Sequence, residues 1–323
     1  MAVRPELLEI LADPVSKAPL IDRGSDLFNP ADGRSFTVDD GIPVFVDAAT
    51  LGAEKVVLHD FYENFGWRRG EGGLYNSPAT FGFRSPTLVR HRQESNAAQA
   101  RWFNRGGRYF LDCASGAIPA EEYLEYSRGY GFHVCVDLTL SAVRGAREKL
   151  GERGLYVNAD GTHLPFRDDA FDDILCSHTL YHMPRDEQAH ALLEFHRVLK
   201  PGGRLVVFYN VGRHSMFGLA LAPYFWLKDR LTSLRSALRR RRGRPVMYSH
   251  HYNASWFRRF APPFGAVEIH GYRLLPNQVM KYLLPDTPIA NAIGVRVLRG
   301  LRRLEQRDAW LERSQYVTIV FTK

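Results

Sequence analysis

Long apolar runs are missing from this chain, cysteine is scarce, and no internal repeat interrupts it. No stretch approaches the roughly 20 consecutive apolar residues that a membrane-spanning helix requires. The opening "MAVRPELLEILADP" lacks the apolar region and small-residue cleavage site of a secretory signal, so a cytoplasmic protein is expected. The 3 cysteines, Cys113, Cys135 and Cys176, are an odd and sparse set lying in or beside apolar strand-like runs. That excludes a disulfide framework and points to reduced core thiols, with no metal site expected.

What remains is ordinary globular composition, 45% hydrophobic and 24% charged over 323 residues, enough for one large domain or two smaller ones. The formal charge of +8 is uneven: "RSALRRRRGR" (235–244) carries six arginines, and "RVLRGLRRLEQR" (296–307) adds a second basic stretch. Such stretches either are solvated faces or attract nucleic acid, anionic lipid or an acidic substrate.

Residues 1–47 read as a small unit of their own, with turns at "PVSKAPL" and "NPADGRSF" before a strand-like "GIPVFVD". A unit this small buries little apolar surface, so it is expected to dock on the rest of the chain. "LLEILADPVSKAPL" and "FNPADGRSFTVDDGIPVFV" resemble the small zinc ribbons that activate, or are fused to, some methyltransferases. In that resemblance Asp13, Ser16, Asn29 and Asp32 stand where the ribbons have cysteines. Hydroxyl, amide and carboxylate side chains do not make the closed thiolate site of a structural zinc, so a metal-free relic held by packing is expected. Residues 48–106 read as a helical lid or linker, with the aromatic "HDFYENFGW" and the helical "SPTLVRHRQESNAAQARWF".

From 107 onward strand-like and helix-like segments alternate: "GRYFLDCASG", "EEYLEYSRGY", "HVCVDLT", "LSAVRGAREKLGERG", "LYVNADG", "FDDILCSHTLYHM", "DEQAHALLEFHRVLKPGG" and "RLVVFYN". Alternation of this kind implies right-handed crossovers and a parallel sheet covered on both faces. "GAVEIHGYRLL" and "QYVTIVFTK" read as two late strands after an insertion at about 211–262. The ligand of such a sheet lies beyond the carboxyl ends of its central strands. A dinucleotide would need G-x-G-x-x-G at the first turn, but this chain offers Asp112, Ala114, Gly116 and Ile118. An aspartate there repels a pyrophosphate and attracts a cation. S-adenosylmethionine (SAM) has an ammonium, a sulfonium and no phosphate, and it suits such a loop. Asp137 ends the second strand, 25 residues after Asp112, where a carboxylate can accept both ribose hydroxyls, and Asp160 ends the third.

"YFLDCASGA", "VCVDLTLSAVRGAREKL", "VNADGTHLPFRDDAFDDILCSHTLYHM" and "EFHRVLKPGGRLVVF" resemble, in order and spacing, the successive motifs of class I SAM-dependent methyltransferases. The resemblance implies an α/β fold: a Rossmann-like seven-stranded, mostly parallel sheet with helices on both faces over 107–323, plus the ribbon-like N-terminal subdomain. It also implies Asp112, Ala114 and Gly116 at the methionine part of SAM, Asp137 and Leu138 at the ribose, Asp160 and Gly161 at the adenine, and Ser177 and Tyr62 beside the cofactor. Ala114 and Ile118 depart from the glycines usual in the family.

Methyl transfer from a sulfonium chiefly requires alignment and exclusion of water, and a hydroxyl acceptor also calls for a base. His178 and His182 in "CSHTLYHMP", with His251 in "MYSHHYNASWF", are the candidates. His250, Tyr252 and Trp256 flank the latter, and Tyr62 and Trp67 belong to the expected lid. The expected reaction is O-methylation of a hydroxyl on a small-molecule or glycan-containing acceptor. The rival readings are an RNA or protein methyltransferase and a non-catalytic SAM-fold partner subunit. Peripheral membrane contact through "MFGLALAPYFWLKDRL" also stays open.

Overall fold

The computed structural model describes residues 2–69, 75–76, 85–103, 105–212, 215, 223, 226, 230, 248–274, 287–305 and 314–323. The arginine run 235–244 and most of "MFGLALAPYFWLKDRL" lie outside them. Among the described residues no helix is long and apolar enough to cross a membrane.

A seven-stranded sheet organises the chain: β5 (Gly107–Cys113), β6 (Tyr130–Asp137), β7 (Gly154–Asn158), β8 (Phe171–Ser177), β9 (Leu199–Asn210), β10 (Ala266–Arg273) and β11 (Tyr316–Thr322). Its order is β10-β11-β9-β8-β5-β6-β7. The central pairs are parallel, whereas β11 runs antiparallel to both β9 and β10. Chain order reverses at β5, which lies between β8 and β6, and this reversal opens a crevice at the carboxyl edge.

Near-continuous apolar strands are what a sheet buried on both faces demands, and successive side chains divide between two core layers. Leu111, Val134, Val136, Ile174, Cys176, Leu205 and Val207 pack on one face. Phe110, Cys135, Leu175, Val206 and Phe208 pack on the other. The three thiols are free and buried, as expected, and burial pushes that of Cys176 up to about 12, leaving it an inert core side chain.

Helix α4 (Leu140–Leu150) faces the sheet with Ala142, Val143 and Ala146, small enough for close approach, and stops at Gly151 in a left-handed conformation. Helix α5 (Glu187–Val198) buries Gln188, Ala191, Leu192, Phe195 and Val198, the three-and-four spacing of one helical face. The first crossover differs from expectation. "EEYLEYSRGY" forms a 3-10 segment, Glu121–Ser127, and β6 starts already at Tyr130. The short connection turns on local i+3 bonds while Tyr123 and Tyr126 anchor it in the core.

The N-terminal residues form helix α1 (Pro5–Leu8) and a small sheet of β1 (Ile21–Asp22), β2 (Asp26–Phe28), β3 (Ser35–Asp39) and β4 (Ile42–Pro43). This sheet shares its core with the large one: Leu7, Ile10, Leu11 and Leu27 join the layer containing Phe166 and Phe195. Val44 also bridges Asn158 at the edge of β7, while Lys17 pairs with Glu194 at 3.0 Å. Asp13, Ser16, Asn29 and Asp32 converge around Arg34. Fully buried Asp13 accepts from the amides of Val15 and Ser16 (2.8 Å each), from Asn29 Nδ2 (2.9 Å) and from Arg34 (3.0 Å). Asn29 also donates to Ser16 Oγ, and Asp32 accepts from Arg34 Nε at 2.7 Å. A guanidinium thus ties the two turns together.

Burial alone would raise the Asp13 pKa, but its amide, Asn29 and Arg34 donors outweigh that and hold it below the ordinary carboxylate range. The stability it contributes is therefore full at neutral pH and is lost as pH falls below about 4. Asp13→Ala leaves several donors unmet and should cost about 3 kcal/mol in urea unfolding at pH 7. The cost should shrink at pH 3, and an equal cost at both values would contradict the assignment.

Candidate functional site

The strand exits at the chain-order reversal carry the polar residues. Between β5 and the 3-10 segment the loop enters the left-handed region at Ala114 (φ 59°), Gly116 (φ 56°) and Ile118 (φ 49°). The backbone thus takes a path natural to glycine with only one glycine on it. Two non-glycine residues in this region, one β-branched, mark stored strain. Apolar burial of Ile118 and the hydrogen bonds of Asp137 hold them there.

Asp137 accepts from Gly116 N at 2.9 Å through one oxygen, and from Thr139 N (3.0 Å) and Thr139 Oγ1 (2.9 Å) through the other. Burial raises its pKa despite these donors. Asp112 is 1% exposed and lies beside the cleft, with neither carboxylate oxygen hydrogen-bonded among the described residues. Its nearest basic neighbour is His133 Nε2 at 3.4 Å, itself without a hydrogen bond among the described residues.

One cleft gathers Tyr62, Asp112, Ala114, Asp137, Leu138, Ser177, His178 and His182. A contiguous recess shares Ala114, Asp137, Leu138 and His182 with it and adds Asp160 and Gly161. Gly116 is the floor of the loop: an added Cβ would lie 2.3 Å from the Trp67 indole, which stacks on Tyr62 at 5.2 Å. Gly161 is equally constrained, since its Cβ would lie 2.8 Å from Cys113 Sγ.

Of the three histidines, two line the cleft. His182 donates from Nδ1 to Tyr248 O at 3.1 Å, which leaves Nε2 as the basic nitrogen. Burial lowers its pKa, against the raising effect of that carbonyl, so the ring is neutral at pH 7. His178 (φ 57°) accepts at Nε2 from Arg273 at 3.3 Å. A guanidinium only donates, so the ring proton sits on Nδ1, which is buried and without a partner among the described residues. Burial, then Arg273 and His182, press its pKa well down.

His251 does not line the cleft. It contacts Asn210 O through Nδ1 at 2.6 Å and stacks behind Tyr181 at 4.8 Å. Its segment instead braces the β8 exit: His250 N donates to Tyr181 O at 2.8 Å, Tyr252 stacks on Trp256 at 4.0 Å, and Asn253 caps the 3-10 turn Ala254–Phe260.

Two cleft residues, Lys55 and Tyr123, and one residue in contact with the cleft wall, Arg273, carried no sequence signal. Lys55, on helix α2 (Ala53–Phe61), is 8% exposed and forms ion pairs with Asp160 and Glu187 while donating to Thr162 Oγ1 at 3.0 Å. Burial would lower its pKa, but the two carboxylates raise it on balance. Tyr123, expected only as part of a helix, meets Ser177 Oγ at 3.2 Å, and Arg273 closes one strand far along the chain. The segment carrying Tyr62 and Trp67 is pinned where Glu63 accepts from Ser141 N and Oγ, each at 3.1 Å.

The residues fit SAM. Asp112 is a buried carboxylate requiring a cationic donor, and Gly116 is a surface that any Cβ would fill.

Residues 111–207 match the family described as a methyltransferase domain. The ubiquinone/menaquinone biosynthesis C-methyltransferase UbiE of Vibrio parahaemolyticus is 35% identical over 119 residues, 31% of this chain and 45% of that protein. The UbiE of Yersinia enterocolitica is 39% identical over 111 residues, 32% and 43%. The chain thus spans less than half the length of the curated relatives it matches. Among solved structures, a SAM-dependent methyltransferase of Thermotoga maritima has a TM-score of 0.47 and 18% identity, covering 73% of this chain and 92% of that one.

Because Ala114 occupies a left-handed position, Ala114→Gly should be neutral or stabilising by up to about 1 kcal/mol, whereas Ala114→Val should destabilise by about 1–3 kcal/mol. Chemical denaturation distinguishes them, and equal effects would deny the strain.

Proposed function

Starting from residues 111–207 as a class I SAM-dependent methyltransferase domain, we propose that this chain methylates a hydroxyl oxygen of a small-molecule or glycan-containing acceptor. The buried carboxylate of Asp112, unpartnered among the described residues, in a cleft that also holds a neutral histidine is the observation that carries the reading. Asp112 would hold the ammonium of SAM, Asp137 the ribose hydroxyls, and the Asp160–Gly161 recess the adenine. When bound, SAM supplies a methyl group activated on sulfur, which leaves S-adenosylhomocysteine once the carbon–oxygen bond has formed. His182 Nε2 takes the proton of the acceptor hydroxyl. Tyr62 and Trp67 exclude water from above. The reading includes a cytoplasmic enzyme, which the buried free thiols suit. The reading takes a small-molecule or glycan-containing acceptor as the partner and assigns the site no metal.

A second reading, transfer to carbon, is favoured by the names of the curated relatives. A phenol deprotonated by His182 would serve either outcome, and the carbon chemical shift of the transferred methyl in the product separates them.

Calorimetric titration with S-adenosylhomocysteine should detect binding that Asp112→Asn and Asp137→Ala each weaken by roughly 10-fold or more. Unchanged affinity in both would sink the cofactor assignment. His182→Ala should lower turnover by about 10²–10⁴-fold with that affinity retained. Since burial keeps His182 neutral below the ordinary histidine range, turnover should hold from pH 7.5 to about pH 6.5 and fall only below it. A fall beginning above pH 7 would point to another base.

A further inference from the structure

Arg273 is the last residue of β10, which runs parallel to β9, so it stands at the same carboxyl edge as Asp112, Asp137 and Ser177. A register shift between Gly271 and Arg273 sets it opposite Tyr316. The side chain is 5% exposed, with its guanidinium over the rings of Tyr272 (4.6 Å) and Tyr316 (4.4 Å). Among the described residues no carboxylate pairs with it. Among the described residues its one hydrogen bond goes to His178 Nε2, and Nε is buried without a partner.

A buried guanidinium is normally paired, because tyrosine faces compensate only part of the hydration it gives up. Its contact with His178 also fixes that ring as a donor, so His178 Nδ1–H faces its surroundings as a second unmet N–H. His178 lines the cleft together with His182 and Tyr123. Among the described residues, two touching side chains, His178 on the cleft wall and Arg273 next to it, thus hold two unmet N–H donors and a positive charge with no carboxylate partner, while the orphan carboxylate, Asp112, lies on the wall of the same cleft. The requirement here is for an oxyanion.

We infer that Arg273 and His178 form an anion subsite, and that the acceptor carries a carboxylate or phosphate group that docks there. This rests on the methyl-transfer reading for the identity of the ligand, but not for the existence of the subsite. It makes His178 a residue of acceptor specificity and leaves His182 as the base.

The test is calorimetric titration of the protein, saturated with S-adenosylhomocysteine, with benzoate, inorganic phosphate and the neutral benzamide. At least one anion should bind 10-fold or more tightly than benzamide, a preference of about 1.4 kcal/mol. Benzoate alone assigns a carboxylate, and phosphate alone assigns a phosphoryl group. Arg273→Gln should abolish the preference and Arg273→Lys should retain part of it, with S-adenosylhomocysteine binding as the folding control for both variants. No preference in the wild type, or one that survives in Arg273→Gln, overturns the subsite. If S-adenosylhomocysteine does not bind the wild type, the methyl-transfer reading fails, and the anion titrations repeated without it still decide on Arg273.

Discussion

The carboxylate of Asp137 is the joint on which the cleft depends. With one oxygen it fastens the amide of Gly116, and with the other it fastens both donors of Thr139, so the exits of two adjacent parallel strands are locked to one side chain. Strand pairing sets the spacing of those exits, but nothing in the pairing holds a left-handed loop that is short of glycine. A buried charge with three donors is strong enough to do that. The open face of the cleft, the place of Asp112 on its wall and the close approach of Trp67 to Gly116 all follow from this lock.

Much of the fold could be read from the chain because continuous apolar runs of strand length and Pro-Gly punctuation are local signals. "VCVD" and "DILCS" run through the sheet as continuous apolar strands, and each places a polar residue at the edge where ligands bind. The first crossover was harder to read, because aromatic residues at helical spacing also suit a 3-10 turn held by tertiary packing. The placement of Asp112, Asp137 and Asp160 was legible for the same local reason: each lies at or just past the carboxyl end of a strand. The long-range pairs of the crevice were not. Lys55 lies 105 residues from Asp160, and Arg273 lies 95 residues from His178, and no spacing rule connects them. His251 shows the opposite error, since a histidine among aromatics in sequence proved to be a brace behind Tyr181.

Charge is sorted along the crevice. The carboxylates Asp112 and Asp137 occupy the end suited to a cationic ligand, Lys55 bridges Asp160 and Glu187 at the recess, and Arg273 contacts His178. A low-dielectric cleft with opposite signs at its two ends orients a dipolar pair of ligands before any side chain moves. The small N-terminal sheet contributes from outside. Its shared core and its bridge to β7 stiffen the edge from which Asp160 projects.

The indole of Trp67 rests on the very glycine that a ligand would approach most closely, with Tyr62 stacked behind it. A ligand reaching that surface must therefore first displace the ring, and its observed affinity is the contact energy less the cost of opening. Glu63 through Ser141 fastens the segment that carries the ring, and Lys55 through Glu187 fastens the helix before it, so contacts set away from Gly116 determine how firmly that surface is covered before a ligand arrives.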